Sequence, residues 1–405
     1  MKQARTIKEM CHMIGLFNRA VLAVLLFSCP GLFNQLIKWR PVLKKKRIGL
    51  SGLPAPLLPA SLRQAGRQAG KSGKIPATLY TREKVKTRPV FIFVAGVRSY
   101  YIKRRQLNTL AKTLAIIGYH VIVVDDTAHT DIKFTKVTPN NMGDLIDAIY
   151  QEELFDKERI VLAGSDFSSR FLFSIMNDSE RIRKIRCLLF LSPVADIPAL
   201  VRFAFTGRIK FGDRWIYRNS SASTRLLYLN NILENYINTG RPDKVSVVFR
   251  CLLENRTAEA FKIAQNLDPE TRNLILSVFR GEMNEEDVRE LSNIDNRDLG
   301  KMFLPSVSEI DIERPVFIIH SILDEDVDCG QSQDLVKALS SSSGVYLHLT
   351  DFITPAGNRL FFSNPARWIK GVFRLAKALC RIFVFIYSYK NYPYNPTKTA
   401  IRITD

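Results

Sequence analysis

Asp166 stands at the sharpest bend that this sequence writes. In RIVLAGSDFSSRFLF, Arg159 to Phe173, a β-branched apolar run ends at Gly164, and apolar residues at helical spacing, Phe167, Phe171 and Ile175, follow at once. Strand, turn and helix in that order are the setting of a G-x-S-x-G nucleophile elbow, whose tight turn pushes the apex side chain out toward a substrate. Here the apex is a carboxylate, and Ser168 occupies the place of the second glycine. Ser168 and Ser169 are expected to crowd a turn that favours minimal side chains. A second acid, Asp324, follows another apolar run in PVFIIHSILDEDVD. An imidazole is the usual proton carrier beside such groups. Of the chain's five histidines, His120 precedes most of its strand and His348 lies inside the last one, whereas His129 and His320 fall at strand ends.

The elements that would position these residues read as an alternation. PVFIFVAG, YHVIVVDD, RIVLAG and CLLFLSP are buried strands, and RRQLNTLAKTLAIIG and NNMGDLIDAIYQEEL are helices between them. Continuous apolar strands separated by helices predict an α/β fold, a mostly parallel sheet covered on both faces. The functional crevice of such a sheet lies beyond the C-terminal strand ends, so Ala95 to Arg98, Asp125 to His129 and Ser165 to Phe167 should share one rim. Residues 204–304 contain several stretches with apolar residues three and four apart, which predicts a helical cap over that rim. A covered pocket of this kind suits an apolar small-molecule or ester-like ligand.

Charge narrows the class of partner. The chain carries a net charge of +20, yet residues 1–74 hold fourteen Lys and Arg against Glu9 alone, and residues 367–405 hold eight against Asp405 alone. The 292 residues between are therefore neutral. No basic groove is available in the body, which excludes nucleic acid as the expected partner. Basic ends point instead to a membrane lipid surface. AVLAVLLFSCPGLF, Ala20 to Phe33, is too short to span a bilayer and reads as a signal-like or interfacial segment, with LFSC loosely similar to a lipoprotein signal. KWRPVLKKKR argues for retention on the cytoplasmic side, so the expected place is a membrane of the bacterial envelope, with its side open. A buried helix is the alternative.

The expected organisation is an anchor-like segment over residues 1–35, a basic Pro/Gly-rich tether over 36–75, a core over 76–203 and 305–390 interrupted by the cap, and a tail from 391. In ARWIKGVFRLAKALCRIFVFIYSYK the first half should be a core helix and the second half should lie in a membrane interface. Six cysteines show no CxxC pair and no ligand spacing, so neither a metal, a cofactor nor a disulfide framework is expected.

These fragments together resemble the α/β-hydrolase family. VFIFVAGV is similar to its first core strand and oxyanion turn, GYHVIVVDDTAH to its next strand and loop, VLAGSDFSS to its elbow, and PVFIIHSILDEDVD to the strand and turn that bear its acid. LSPVADIPALVRFAFTG is also similar to a membrane-attached bacterial subgroup. The resemblance implies a nucleophile position at Asp166, oxyanion donors at Val97 and Phe167, an acid at Asp324, and a histidine position filled by Asn358 in TPAGNRLFF. A serine hydrolase needs a hydroxyl activated by imidazole, and this pattern supplies neither at the matching places. Relatives with an aspartate nucleophile exist in the same family, but they too need a base, for which His129 is the nearest candidate. Two acids facing one crevice should repel, which makes Arg98 and Arg359 candidates to pair with Asp166; the alternative is that both are solvated surface arginines. Three functions follow: a catalytically impaired relative that binds an apolar ligand or a protein partner, a hydrolase with rearranged catalytic groups, or a basic scaffold on a membrane surface.

Overall fold

The computed structural model of the chain describes residues 13–25, 43–50, 75–82, 88–94, 104–124, 139–211, 214–236, 242–254, 256–283, 286, 288, 312, 314–339, 344–351 and 365–387. Its centre is an eight-stranded sheet. In chain order the strands are β1 (Leu43–Leu50), β2 (Ile75–Arg82), β3 (Arg88–Val94), β4 (His120–Val124), β5 (Phe155–Ser165), β6 (Cys187–Leu191), β9 (Val316–Ser321) and β10 (Val345–Thr350). They lie side by side in the order β1-β2-β4-β3-β5-β6-β9-β10. β2 runs antiparallel to both neighbours, and the pairs from β4 to β10 are parallel.

Side chains alternate along each strand, so each strand feeds two cores. On one face Val90, Ile92, Ile122, Leu162, Leu188 and Ile318 pack beneath α3 (Pro139–Gln151), α4 (Ser169–Met176), α5 (Ser179–Arg183) and α11 (Gly330–Ala338). On the other, Phe91, Phe93, Val121, Val161 and Phe317 pack beneath α1 (residues 13–25), α2 (Arg104–Ile117) and α12 (Pro365–Tyr387). Between β6 and β9 the chain leaves the sheet to build α6 (Ile197–Thr206), the hairpin β7–β8 (Arg208–Phe211, Arg214–Tyr217), α7 (Ala222–Tyr236), α8 (Pro242–Leu253), α9 (Thr257–Ala264) and α10 (Pro269–Arg280). These helices share a third core around Leu200, Tyr228, Phe249 and Ile275. This is an α/β-hydrolase fold with a helical cap.

Four sequence expectations change. Leu43–Leu50, within the stretch read as a tether, pairs with β2 along its whole length. An edge strand bonds on one side only and tolerates lysines, so LKKKRIGL lacks the apolar pattern of an inner strand. The cap layer begins with α6 at Ile197, not at residue 204, because Ile197, Leu200 and Val201 already belong to its core. The cap also contains a hairpin. Arg208–Phe211 and Arg214–Tyr217 are separated by two residues, Gly212 and Asp213, a hairpin signal that helical periodicity does not register.

The fourth change concerns α12. Its second half, expected at a membrane interface, is the buried half: Ile382, Phe383 and Ile386 are each 1% exposed. Tyr119 and Phe317 pack on its aromatic rings, and Tyr119 is pushed well above the usual tyrosine range, first by burial. α1 lies in the same layer, with Leu16, Ala20, Ala23 and Val24 buried. No described helix is long and apolar enough to cross a membrane.

Two buried imidazoles give the fold a pH signature. His120, whose Nδ1 meets Thr81 Oγ1 at 2.9 Å, is lowered to about 4, by burial first and then by Arg88. His348 is lowered to about 4 by burial, Arg381 and Arg374. A base whose folded pKa is depressed binds fewer protons folded than unfolded, so its contribution is intact above about pH 6.5 and is lost as pH falls toward 4. Unfolding free energies from denaturant titration should therefore fall between pH 7 and pH 5, by about 1–2 kcal/mol per histidine. A His120→Gln, His348→Gln double variant should lose most of that slope, and an unchanged slope would exclude the two rings as its source.

Candidate active site

The turn after β5 is set by backbone geometry before any side chain matters. The parallel order reverses direction at β3, whose two neighbours are β4 and β5, and crevices open at such switch points. Val94, the last residue of β3, pairs with Gly164. Ser165 is still extended, at φ −126° and ψ 148°. Asp166 then takes φ +50°, and Asp166–Ser168 forms a single 3₁₀ turn that leads straight into α4. A left-handed backbone at a non-glycine residue is strained and persists only where its surroundings over-determine it.

The surroundings here are hydroxyls. Ser168 Oγ accepts the Ser165 amide at 2.7 Å and points its one hydrogen between the carbonyls of Val94 and Ser165, each 2.7 Å away. Ser169 Oγ donates to the Asp166 carbonyl and accepts the Val194 amide at 3.0 Å. Both serines are fully buried. The expectation that they crowd the turn is thus corrected: their hydroxyls tie it to β3 and to the loop after β6. Gly164 is the residue that must be small. A Cβ there would meet the Ser168 carbonyl oxygen at 3.2 Å and Leu172 Cδ1 at 2.9 Å. α4 buries Leu172, Phe173, Ile175 and Met176 against the sheet, while Phe167 turns the other way, into the core of the cap. The helical spacing Phe167, Phe171, Ile175 therefore does not define one face, because Phe167 precedes the helix.

Asp166 is 3% exposed and Asp324 5%. Asp324 sits in the turn after β9, and its carboxylate is occupied. Oδ1 accepts the amides of Asp326 at 2.9 Å and Val327 at 3.2 Å, and Oδ2 accepts Ser192 Oγ at 2.8 Å. Ser192 follows β6, the strand between those of Asp166 and Asp324, and it is the second non-glycine residue with positive φ among the described ones, at +49°. The two acid-bearing strands are thus two strand spacings apart, about 10 Å. His320 Nε2 lies 4.0 Å from Asp324 Oδ2, too far to bond it. That nitrogen reaches the Val327 carbonyl at 2.9 Å, which can only accept, so Nε2 carries hydrogen; Nδ1 takes the Ser332 hydroxyl at 2.6 Å. His320 orders the acid turn.

The other histidines lie elsewhere. His120 opens β4 at the end of the sheet remote from the elbow, and His348 lies within β10, the edge strand. His129, Val97, Arg98, Asn358 and Arg359 fall outside the described residues, so the base, the first oxyanion position, the arginine partners and the former histidine position have no geometry here. The four described cysteines, at 187, 251, 329 and 380, are free and buried, and no cluster of metal-binding side chains occurs among the described residues.

Sequence reasoning missed the polar residues that lock the acid turn. Gln331 Oε1 accepts the amides of Ala195 and Asp196, at 2.9 and 2.7 Å, and its Nε2 donates to the Asp196 carbonyl, so α11 holds the loop after β6. The signal was present: Gln331 and Ser332 lie four residues before Leu335 and Val336 and so share their buried face. The cap joins the same turn, since Ser221 N donates to the Glu325 carbonyl at 2.8 Å and Thr224 Oγ1 to Asp326 at 3.3 Å.

No protein-family model matches the chain, and no curated protein is similar to it in sequence. Solved structures are similar to it in overall arrangement. The acylaminoacyl peptidase of Pyrococcus horikoshii is 12% identical, over 89% of this chain and 44% of its own, with a TM-score of 0.44. Est1E from Butyrivibrio proteoclasticus is 13% identical over 78% of this chain and 96% of its own, with a TM-score of 0.38. The esterase domain of a Rhodothermus marinus protein is 11% identical over 82% and 98%, also at 0.38. This chain spans less than half the length of the Pyrococcus peptidase.

Two measurements test the site. Gly164→Ala should lower stability by about 1–3 kcal/mol through overpacking, and Ser168→Ala by about 1–3 kcal/mol because the Ser165 amide loses its buried acceptor; unchanged thermal midpoints would mean that the turn relaxes freely. Asp328, beside the acid turn, is raised to about 6 by burial, partly opposed by the amides of Gly330 and Gln331. A raised acid contributes most below its unfolded pKa and loses that contribution as pH rises through about 6. Relative to the parent, Asp328→Asn should thus gain stability from pH 4.5 to pH 8, read by denaturant titration at both values.

Proposed function

We propose that the capped crevice binds an apolar, ester-like ligand without turning it over by serine-hydrolase chemistry. The observation that carries this reading is the carboxylate of Asp166 at the strained apex, where a serine hydrolase needs a hydroxyl. Two further features support it. Ser192 donates to Asp324 Oδ2, and the amides of Asp326 and Val327 to Oδ1, so both oxygens of the acid that would orient an imidazole are already engaged. The elbow's own Phe167 belongs to the apolar core of the cap, so hydrophobic side chains of the cap pack directly on the elbow.

A second reading keeps Asp166 as a nucleophile, with His129 as the base. The left-handed backbone of Asp166 favours it, because strain of this kind collects at reacting groups. A carboxylate attacking the alkyl carbon of a haloalkane displaces the halide and forms an ester to the enzyme, which water must then cleave, with a base taking its proton, to release the alcohol and restore the carboxylate.

A turnover screen over esters and haloalkanes separates the two. The parent and Asp166→Ala should be equally inactive, Asp166→Ser should stay inactive, and Asp166→Ser with Asn358→His should raise esterase turnover at least about tenfold over background. Turnover by the parent that vanishes in Asp166→Ala, or an alkyl adduct on Asp166 seen by mass spectrometry, would overturn the proposal in favour of the second reading. Ligand binding itself is read by thermal stabilisation with long-chain esters, and the absence of any shift across the series would remove the apolar-ligand reading.

A further inference from the structure

We infer that the outer face of α1 and α12 docks in the plane of an anionic membrane surface. Both helices bury one stripe on the sheet and leave another uncovered. On α1 the uncovered stripe carries Ile14 and Leu22, exposed by 53% and 38%, with Met13, exposed by 45%, at the start of the described helix; on α12 it carries Ile369 and Phe373, exposed by 50% and 53%. Phe17 stacks on Phe373 with ring centroids 6.5 Å apart, which joins the two stripes into one surface. Five of the eleven large hydrophobic side chains exposed among the described residues therefore gather on two adjacent helices. A contiguous apolar patch on a folded protein marks a binding face.

Charge decides what binds there. Arg19, Lys370, Arg374 and Lys377 are exposed beside the apolar residues, and neither helix contains an aspartate or glutamate. Long basic side chains can lay their stems along apolar surface and keep the charge in the headgroup layer, so basic and apolar residues interleave on helices that lie in a membrane interface. A second copy of the chain is a poor occupant. A twofold interface sets the patch against itself and brings both copies' Arg19, Lys370, Arg374 and Lys377 into one interface, with no acid in the described part of either helix to pair them. An anionic lipid layer supplies the missing negative charge and takes up the apolar side chains together. These four basic residues belong to the basic excess of residues 1–74 and 367–405, which together hold the whole net charge of +20. Docking in the plane is also consistent with helices too short or too polar to cross the bilayer.

This inference is independent of the crevice chemistry, and a failed membrane assay leaves that reading untouched. The test uses the full chain with vesicles of phosphatidylcholine alone and vesicles mixed with phosphatidylglycerol, followed by flotation. The parent should float with the mixed vesicles, remain partly bound at high salt, and stay behind with phosphatidylcholine alone. Ile14→Ser, Leu22→Ser, Ile369→Ser and Phe373→Ser combined should lower the retained fraction at least about tenfold. All four positions are exposed, and an unchanged melting temperature verifies the fold. Lys370→Glu, Arg374→Glu and Lys377→Glu combined should abolish binding to the mixed vesicles at low salt. Parental flotation of the serine variant would overturn the inference by assigning binding to the basic ends alone. A parent that ignores vesicles but forms dimers broken by the serine changes would overturn it in favour of an interface between copies.

Discussion

One backbone conformation governs the molecule's centre: a left-handed residue between the end of β5 and the start of α4. With Asp166 at φ +50° the chain reverses within one 3₁₀ turn, and the helix axis falls back over the sheet. The apolar stripe of α4, Leu172 to Met176, then reaches Phe190 and its neighbours, where Phe173 and Phe190 pack at 5.4 Å between centroids. Each fully buried side chain of this size contributes about 1.5–3 kcal/mol, against about 1–3 kcal/mol of strain for the apex. Packing decides the balance, and the hydroxyls of Ser168 and Ser169 fix which conformation the packing selects.

The same polar bonding spreads outward from the turn. Ser169 holds Val194, the neighbourhood of Val194 is held by Gln331, and α11 places Ser332 on His320. His320 in turn binds Val327, whose amide caps Asp324. Elbow, loop after β6 and acid turn are consequently one buried network rather than three sites. Such networks are stable only when each member is satisfied, because an orphaned donor in a low-dielectric interior costs its full desolvation energy. The cap rests on the last link through Glu325 and Asp326, so its position above the crevice is referred to the acid turn.

Much of the fold was legible because inner parallel strands are buried on both faces and read as unbroken apolar runs. PVFIFV, HVIVV, CLLFL and VFIIHS fall where the sequence pattern put them. β1 was not legible, since an edge strand has only one neighbour to satisfy and LKKKRIGL shows no alternation. α1 was bounded differently, and the second half of α12 was misread. The apolar run was bounded at Ala20–Phe33, whereas the described helix covers 13–25 and buries Leu16 as well as Ala20. In α12 the most apolar half looked membrane-facing, yet mean hydropathy does not distinguish a lipid interface from the underside of a sheet. What separates them is whether basic residues interrupt the stripe. Lys370, Arg374 and Lys377 interrupt the first half, and Ile382 to Tyr387 run without a charge.

The candidate site was legible as position but not as bonding. Gly164, Asp166 and Asp324 could be placed from motif spacing, because spacing fixes backbone. Ser192 could not, because its role depends on which strand ends meet, and for Gln331 and Ser332 the helical spacing indicates burial but not the partner. This asymmetry also bears on chemistry. The bonds that the hydroxyls of Ser168 and Ser169 make at the elbow run to backbone atoms: the Asp166 carbonyl, the Ser165 amide and carbonyl, the Val94 carbonyl and the Val194 amide. None of them tests the identity of the apex side chain. A carboxylate can therefore stand at residue 166 without breaking these serine bonds, provided that its burial at 3% exposure is offset by hydrogen bonds, a cation or a proton. A strained elbow is thus evidence of the fold that retains it, and the reaction must be read from the side chains alone.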